Sequence, residues 1–293
     1  MSNPVIFNRR LGKNELDLLF DVFKINEINR VQAVQFFRLE DSIAFLSSLG
    51  DEVIGGTIVY RDRTRLGMVL ASIAIKERFR DLGAYTIIKS SLPFFRTVAI
   101  RDVDAIISGK QNDDRLKFPF SFELPSWTKQ ILEENSFVEE QNLCSCKIEI
   151  KKDEIRPDTE VRTDTVASIE GARALIWDTG TKAGLTNSVS WMSLNLAVNS
   201  KNLQTISEGD STKLAYSLYK EKNAVIIGFV IASDDFVKDR AVIALSSAIK
   251  ETQMKEIRFP LVGRGQMELV QDIANEVGGS LKSKSITLMR RRL

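Results

Sequence analysis

The stretch from Gly67 to Arg96 reads GMVLASIAIKERFRDLGAYTIIKSSLPFFR, and it decides how the rest of the chain is read. From Met68 to Ile75 no side chain is ionisable, the signature of a strand covered on both faces. A charged loop, Lys76 to Leu82, follows and leads to Gly83. Beyond the glycine, Tyr85, Ile87, Ile88, Leu92 and Phe95 recur at helical spacing. The order is buried strand, basic turn with a glycine, helix. The first N–H groups of a helix have no partner within it and carry partial positive charge. A turn that adds Arg78 and Arg80 to them suits an anion, most often a phosphate. An ordinary strand-to-helix connection with surface arginines would read the same way.

At 293 residues the chain has room for two domains of ordinary size. Hydrophobic residues make up 43% and charged residues 27%, as in soluble globular proteins. A net charge of +2 gives no reason to expect a general nucleic-acid binder. No apolar run approaches the roughly 20 residues that cross a membrane, and the N-terminus has no apolar signal core. A cytoplasmic location is the expectation. Cys144 and Cys146 stand two apart on an expected strand and so point to one face. Without histidine or a second cysteine pair they read as small packed residues, and no metal is expected. The absence of histidine excludes Ser–His and Cys–His nucleophiles. Proton transfer falls to carboxylates, Tyr, Lys, Cys, the backbone or water.

Outward from the opening stretch, Asn14 to Asn26 reads as a helix, Arg30 to Phe37 as a second helix or an irregular segment, and Ser42–Ser48 with Glu52–Arg61 as a hairpin. Gly55-Gly56 inside the second arm predicts a bulge or a close backbone approach. Val103–Ile107 is a strand, Arg115–Ser126 an inserted loop, Trp127–Asn135 a helix, and Phe137–Lys151 a final strand or pair of strands. The polar stretch around Pro157 is the linker. After it the same order returns: helices, a hairpin around Glu221-Lys222, helix, strand, helix, and a strand over Ser280–Arg290. Two tandem domains follow, 1–152 and 166–293 with a linker over 153–165, related by an old duplication. Each is an α/β (α+β) unit with a mixed, mostly antiparallel sheet flanked by helices.

Arg80-Asp81-Leu82-Gly83-Ala84-Tyr85 resembles the acyl-coenzyme A signature of the GNAT acetyltransferase superfamily, Gln/Arg-x-x-Gly-x-Gly/Ala. Arg80 and Gly83 match; Tyr85 stands where Gly or Ala is usual. Ile75 falls where the family ends its fourth strand, Asn112 where an Asn opens its last helix, and Ser136-Phe137 where a Gly-Phe precedes the final strands. The second half resembles the C-terminal domain of tandem GNAT proteins, but its corresponding turn, Ala232-Ser233-Asp234-Asp235-Phe236, is acidic and lacks Arg-x-x-Gly. Carboxylates there disfavour phosphate, so this half is expected to be a degenerate copy that walls or supports the substrate pocket.

The resemblance implies acetyl-CoA as cosubstrate. Its pantetheine would lie along Ile73, Ala74 and Ile75, and its pyrophosphate on the amides of Asp81, Leu82, Gly83, Ala84 and Tyr85, with Arg78 or Arg80 nearby. Gly83 would let the backbone approach the phosphate. The family's base on the fourth strand is missing, and its acidic Tyr is replaced by Leu132. Tyr60 and Glu77 are the remaining candidates for proton transfer. Two functions follow: an N-acyltransferase acting on an amine of a small molecule or protein, or a non-catalytic relative that binds acyl-CoA or a partner. A homodimer is compatible with either.

Overall fold

The structure, a computed structural model, describes residues 5–15, 17–18, 38–62, 67–97, 100–108, 123–150, 168–179, 183–221, 223–236 and 238–293. Most of the two segments read between Asn14 and Phe37, together with Asn112, most of the 115–126 insertion and the 153–165 linker, lie outside them.

The described chain forms two compact units. The first takes in Met1–Gln141 and Ile286–Leu293. Its strands β1 (Ile6–Arg10), β2 (Ser42–Leu49), β3 (Glu52–Asp62) and β4 (Gly67–Ile75) run antiparallel in that order. A 3-10 turn, Glu77–Phe79, leads into α1 (Arg80–Thr97), and β5 (Asp102–Ser108) returns parallel to β4. A two-residue strand, β6 (Glu123–Leu124), then α2 (Thr128–Glu134) and the long β7 (Val138–Ile150) follow. The second unit, Asn142–Ser285, holds α3 (Ile169–Thr179), α4 (Asn187–Asn199), β8 (Leu203–Glu208), β9 (Ser211–Lys220), β10 (Ala224–Ala232), α5 (Lys238–Lys250), β11 (Glu256–Val262), α6 (Met267–Glu276) and the start of β12 (Gly279–Arg292). Here β8, β9 and β10 are antiparallel neighbours, and β11 returns parallel to β10.

The two closing strands are exchanged. Ile286 to Arg292 of β12 pair antiparallel with β5 of the first unit, whereas β11 of the second unit pairs with Cys144 to Glu149 of β7. A sequence reading gives each closing strand to its own half. The compact units instead divide inside β7 and β12. An ion pair fixes the exchange in the first unit. Arg290 Nε donates to Asp104 Oδ1 at 2.7 Å and Nη2 to Oδ2 at 3.1 Å, and the Asp104 side chain is only 1% exposed. Burial opposes the charge on Arg290, but the bond to Asp104 leaves its pKa above the ordinary value.

The core of the first unit lies where α1 covers the sheet. Ala84, Ile87 and Ile88, at i, i+3 and i+4, are buried, while Asp81, Tyr85 and Lys89 form the opposite, exposed stripe. Tyr85 therefore leaves the apolar face that spacing alone assigns it: it is 40% exposed, with Lys89 Nζ 5.3 Å from its ring centroid. Ile87 and Ile88 pack with Val59, Met68, Leu70 and Ile73; a side chain buried this fully contributes roughly 2 kcal/mol. The expected close approach at Gly55 is present, since an added Cβ there would lie 2.5 Å from the Ala74 carbonyl oxygen and 2.9 Å from Ile87 Cδ1. Ser136, after α2, has φ +65°, a left-handed conformation that glycine adopts without cost, which gives the Gly-Phe pattern its physical sense.

Candidate functional site

The site begins where two parallel strands part. β4 and β5 are paired from Gly67–Asp102 to Leu70–Ala105 and no further. Past that point Ala71 is skipped in the ladder with β3, a bulge between the Ile58–Ser72 and Val59–Leu70 pairs, while Ser72 to Ile75 keep their β3 partners, Ile75 opposite Gly55, and diverge from β5. The gap widens toward the carboxyl end of β4, the end at which parallel strands of α/β sheets receive ligands. The 3-10 turn and the start of α1 stand there.

The turn is shorter than its sequence suggests. Lys76 alone separates β4 from the 3-10 turn, and α1 begins at Arg80, so Gly83 lies inside its first turn. The Phe79 N–H donates to the Lys76 carbonyl at 2.9 Å and the Arg80 N–H to that of Glu77. From Gly83 onward each N–H has a carbonyl four residues back, which leaves Asp81 and Leu82 as the first-turn positions without a helical partner. Gly83 faces the sheet: an added Cβ would sit 3.0 Å from Ile75 Cδ1 and 3.4 Å from Ile54 Cδ1. Its small size lets helix and sheet approach each other. Gly83→Asp would put a charge among isoleucines, so it tests packing before it tests any ligand.

The three cations of the turn differ in their company. Lys76 Nζ lies 2.8 Å from Glu52 Oε1, and Arg78 pairs with the same carboxylate. The hydrogen bond from Lys76, then that from Arg78, holds Glu52 below the ordinary carboxylate range. Among the described residues Arg80 pairs with no carboxylate. Its guanidinium lies 4.9 Å from the Trp127 ring centroid, and its buried Nε has no hydrogen-bond partner.

The remaining expected residues are spread out. Ile73 is 4% exposed and belongs to the core under α1, while Ala74 and Ile75 are half-buried. Tyr60, 2% exposed, pairs with Val69 beside the point where the strands part. Glu77 is exposed beyond the other end of β4. Val69 and Ile75 are six residues apart along β4, so Tyr60 and Glu77 are separated by roughly 20 Å and cannot serve one reacting atom. Leu132 is fully buried. Cys146 is buried on β7 with its Sγ 3.8 Å from Met267 Sδ; burial, then its neighbour Cys144, pushes its thiol up to about 12, which keeps it an inert neutral packing group. Among the described residues there is no cluster of metal-ligating side chains and no helix long and apolar enough to span a membrane.

The gap in the first unit holds part of the chain itself. Glu123 and Leu124 of β6 pair parallel with Ile106 and Ile107 of β5, in the positions β4 has vacated. Nothing in the sequence marks a two-residue strand there.

The second unit repeats the divergence: β10 and β11 pair only from Ala224–Glu256 to Ile226–Arg258. A cavity of about 200 Å³ opens at the carboxyl end of β10, lined by Val230, Ala232, Asp234, Lys238, Gln266 and Leu269 among others. Gln266 Nε2 donates to the Val230 carbonyl at 2.6 Å, and its Oε1 accepts from the Gly263 N–H at 2.9 Å.

A meander of antiparallel strands, a helical crossover to a parallel strand that diverges, and a helix start at the open end occur here twice in one chain. Solved structures superpose on that plan. A putative acetyltransferase from Pyrococcus horikoshii superposes on the whole of this chain and 90% of its own, with TM-score 0.62 and 13% identity. A tandem GNAT protein from the clavulanic acid biosynthesis pathway superposes over 98% of both chains, with TM-score 0.61 and 8% identity. The chain has a tandem GNAT fold. A GCN5-related N-acetyltransferase from Sphaerobacter thermophilus matches it over 98% of this chain and 95% of the other, with TM-score 0.57 and 11% identity. At such identities the likeness is one of fold: no protein-family model and no curated protein sequence matches this chain.

Proposed function

We propose that the protein is an acyl-CoA-dependent N-acyltransferase, acetyl-CoA being the donor, whose coenzyme site is in the first unit and which works in the cytoplasm on an amine of a small molecule or protein. The observation that carries this reading is the divergence of β4 from β5 beyond Leu70–Ala105, with Arg80 and the first turn of α1 at its open end. The diphosphate takes the Asp81 and Leu82 amides and Arg80, and the pantetheine arm runs along Ile75, Ala74 and Ile73 toward the closed end. Of the residues read from the sequence, Gly83 serves by bringing the helix close, Ala84 packs beneath it, and Tyr85 and Arg78 border the phosphates. Asn112, a coenzyme-binding residue by resemblance, lies outside the described residues.

The thioester then lies near the point where the strands part. A neutral amine attacks its carbonyl carbon, the C–N bond forms, the C–S bond breaks, and the amine proton passes to the leaving thiolate or to water. Positioning and a β4 amide aimed at the carbonyl oxygen supply the rate enhancement. Tyr60, beside Val69, is the nearer proton donor to the sulfur; Glu77 belongs to the phosphate end. A second reading, a binder without transfer activity, draws on the absence of ionisable side chains along β4 and on the buried Leu132. Calorimetric titration with acetyl-CoA tests both, and absence of heat and of thermal shift removes both. Release of free thiol over a panel of amines then separates enzyme from binder, and Tyr60→Phe should lower kcat with unchanged coenzyme affinity if the hydroxyl protonates the thiolate.

A further inference from the structure

Resting on the reading of the first unit as a coenzyme site, we propose that the segment Glu123–Trp127 is a built-in occupant of that site, which acyl-CoA displaces on binding. Two separate contacts support it. Glu123 and Leu124 fill the ladder positions of β5 that β4 leaves open, and Leu124, 1% exposed, is part of the core with Ile73 and Ile87. An extended pantetheine arm between β4 and β5 would need that space. Three residues further on, Trp127 stacks on Arg80, which has no carboxylate partner among the described residues, and so covers the group that would meet the diphosphate. One short segment thus takes both the extended part and the charged end of the ligand's footprint.

Three features hold the segment. Its strand pairing spans two residues, Leu124 is buried in the core, and at the start of α2 the Thr128 N–H and Oγ1 both bond the Pro125 carbonyl, at 2.9 and 2.7 Å. Stacking on Trp127 also leaves Arg80 Nε buried without an acceptor, and a phosphate oxygen would supply one. A site whose competent form is a minor population binds more weakly by that fraction, so loosening the segment strengthens coenzyme binding.

The test is acetyl-CoA titration of the full chain in three forms. Leu124→Ala and Trp127→Ala should each bind at least about 10-fold more tightly than the wild type. A lock is made by Ile106→Cys with Glu123→Cys in a Cys144→Ala, Cys146→Ala background; its oxidised form should bind at least about 10-fold more weakly than the same protein reduced. The lock compares one protein with itself, so it decides the matter if Leu124→Ala fails to fold. Equal affinities in the open, wild-type and locked forms overturn the proposal and leave the coenzyme site standing elsewhere in the unit. Binding by none of them, with folding verified by circular dichroism, overturns the coenzyme reading and this proposal with it.

Discussion

The two units part a parallel strand pair at matching points and fill the opening in opposite ways. In the first, the open end is basic, with Lys76, Arg78 and Arg80, and the gap receives a strand of two residues. In the second, Asp234, Asp235 and Glu268 stand there with Lys213 and Lys238, which pair with Asp235 and Glu268, and one side chain, Gln266, bonds the β10 carbonyl at Val230. A hydrogen-bonded glutamine whose two bonds are both internal is a permanent fitting. A two-residue ladder beneath a stacked tryptophan is a removable one. In the second unit a single side chain bonds the β10 carbonyl at Val230 while a cavity stays open beside it.

That contrast can be broken by experiment. The largest effect is expected where the first unit borrows its closing strand. Arg290→Ala removes the guanidinium that holds the buried Asp104 carboxylate, and should cost about 3–5 kcal/mol in urea unfolding; a loss within error would mean that β5 does not depend on the borrowed strand. Next comes glycine packing. An added Cβ at Gly263 would meet the Ala183 carbonyl oxygen at 2.1 Å, rigid backbone, whereas at Gly83 it meets only the Ile75 methyl end at 3.0 Å. Gly263→Ala should cost about 3 kcal/mol and Gly83→Ala about 1 kcal/mol or less, and the reverse order would refute the packing described. Gln266→Leu removes two bonds and leaves the Val230 carbonyl and the Gly263 N–H buried without partners; a loss of about 2 kcal/mol is expected, with no gain of acetyl-CoA binding. The smallest effect belongs to Glu52→Gln. The folded pKa of Glu52 lies below its ordinary 4.5, so its ion pairs stabilise the native state above that pH and are lost as pH falls through the folded value. Wild type and variant should therefore differ slightly in Tm at pH 7 and converge in acid.

Much of this was legible in the sequence because local pattern carried it. The hairpin arms over Ser42–Leu49 and Glu52–Asp62, the buried β4 and the helices at 128–134, 238–250 and 267–276 stand close to where periodicity and turn residues put them. The start of α1 was missed because a 3-10 turn bears charged residues as readily as a loop does, and Tyr85 was misassigned because Ala84 carries too little apolar signal to mark the buried stripe. The strand β8 went unread, its Gln204, Thr205 and Ser207 diluting the alternation. The exchange of closing strands and the position of β6 depend on pairing between residues far apart in the chain, which no window of sequence contains. In the site, the basic turn was visible and the divergence of the strands was not, since β4 looks the same whether or not β5 follows it.

Asp104 waits for Arg290 across most of the chain's length. During synthesis the β5 edge that pairs with β12 lacks that partner until residues 286–292 have been made, so the first unit cannot complete its sheet before then. A nascent chain stalled before those residues would present an apolar strand edge to whatever chaperone or neighbouring chain met it first.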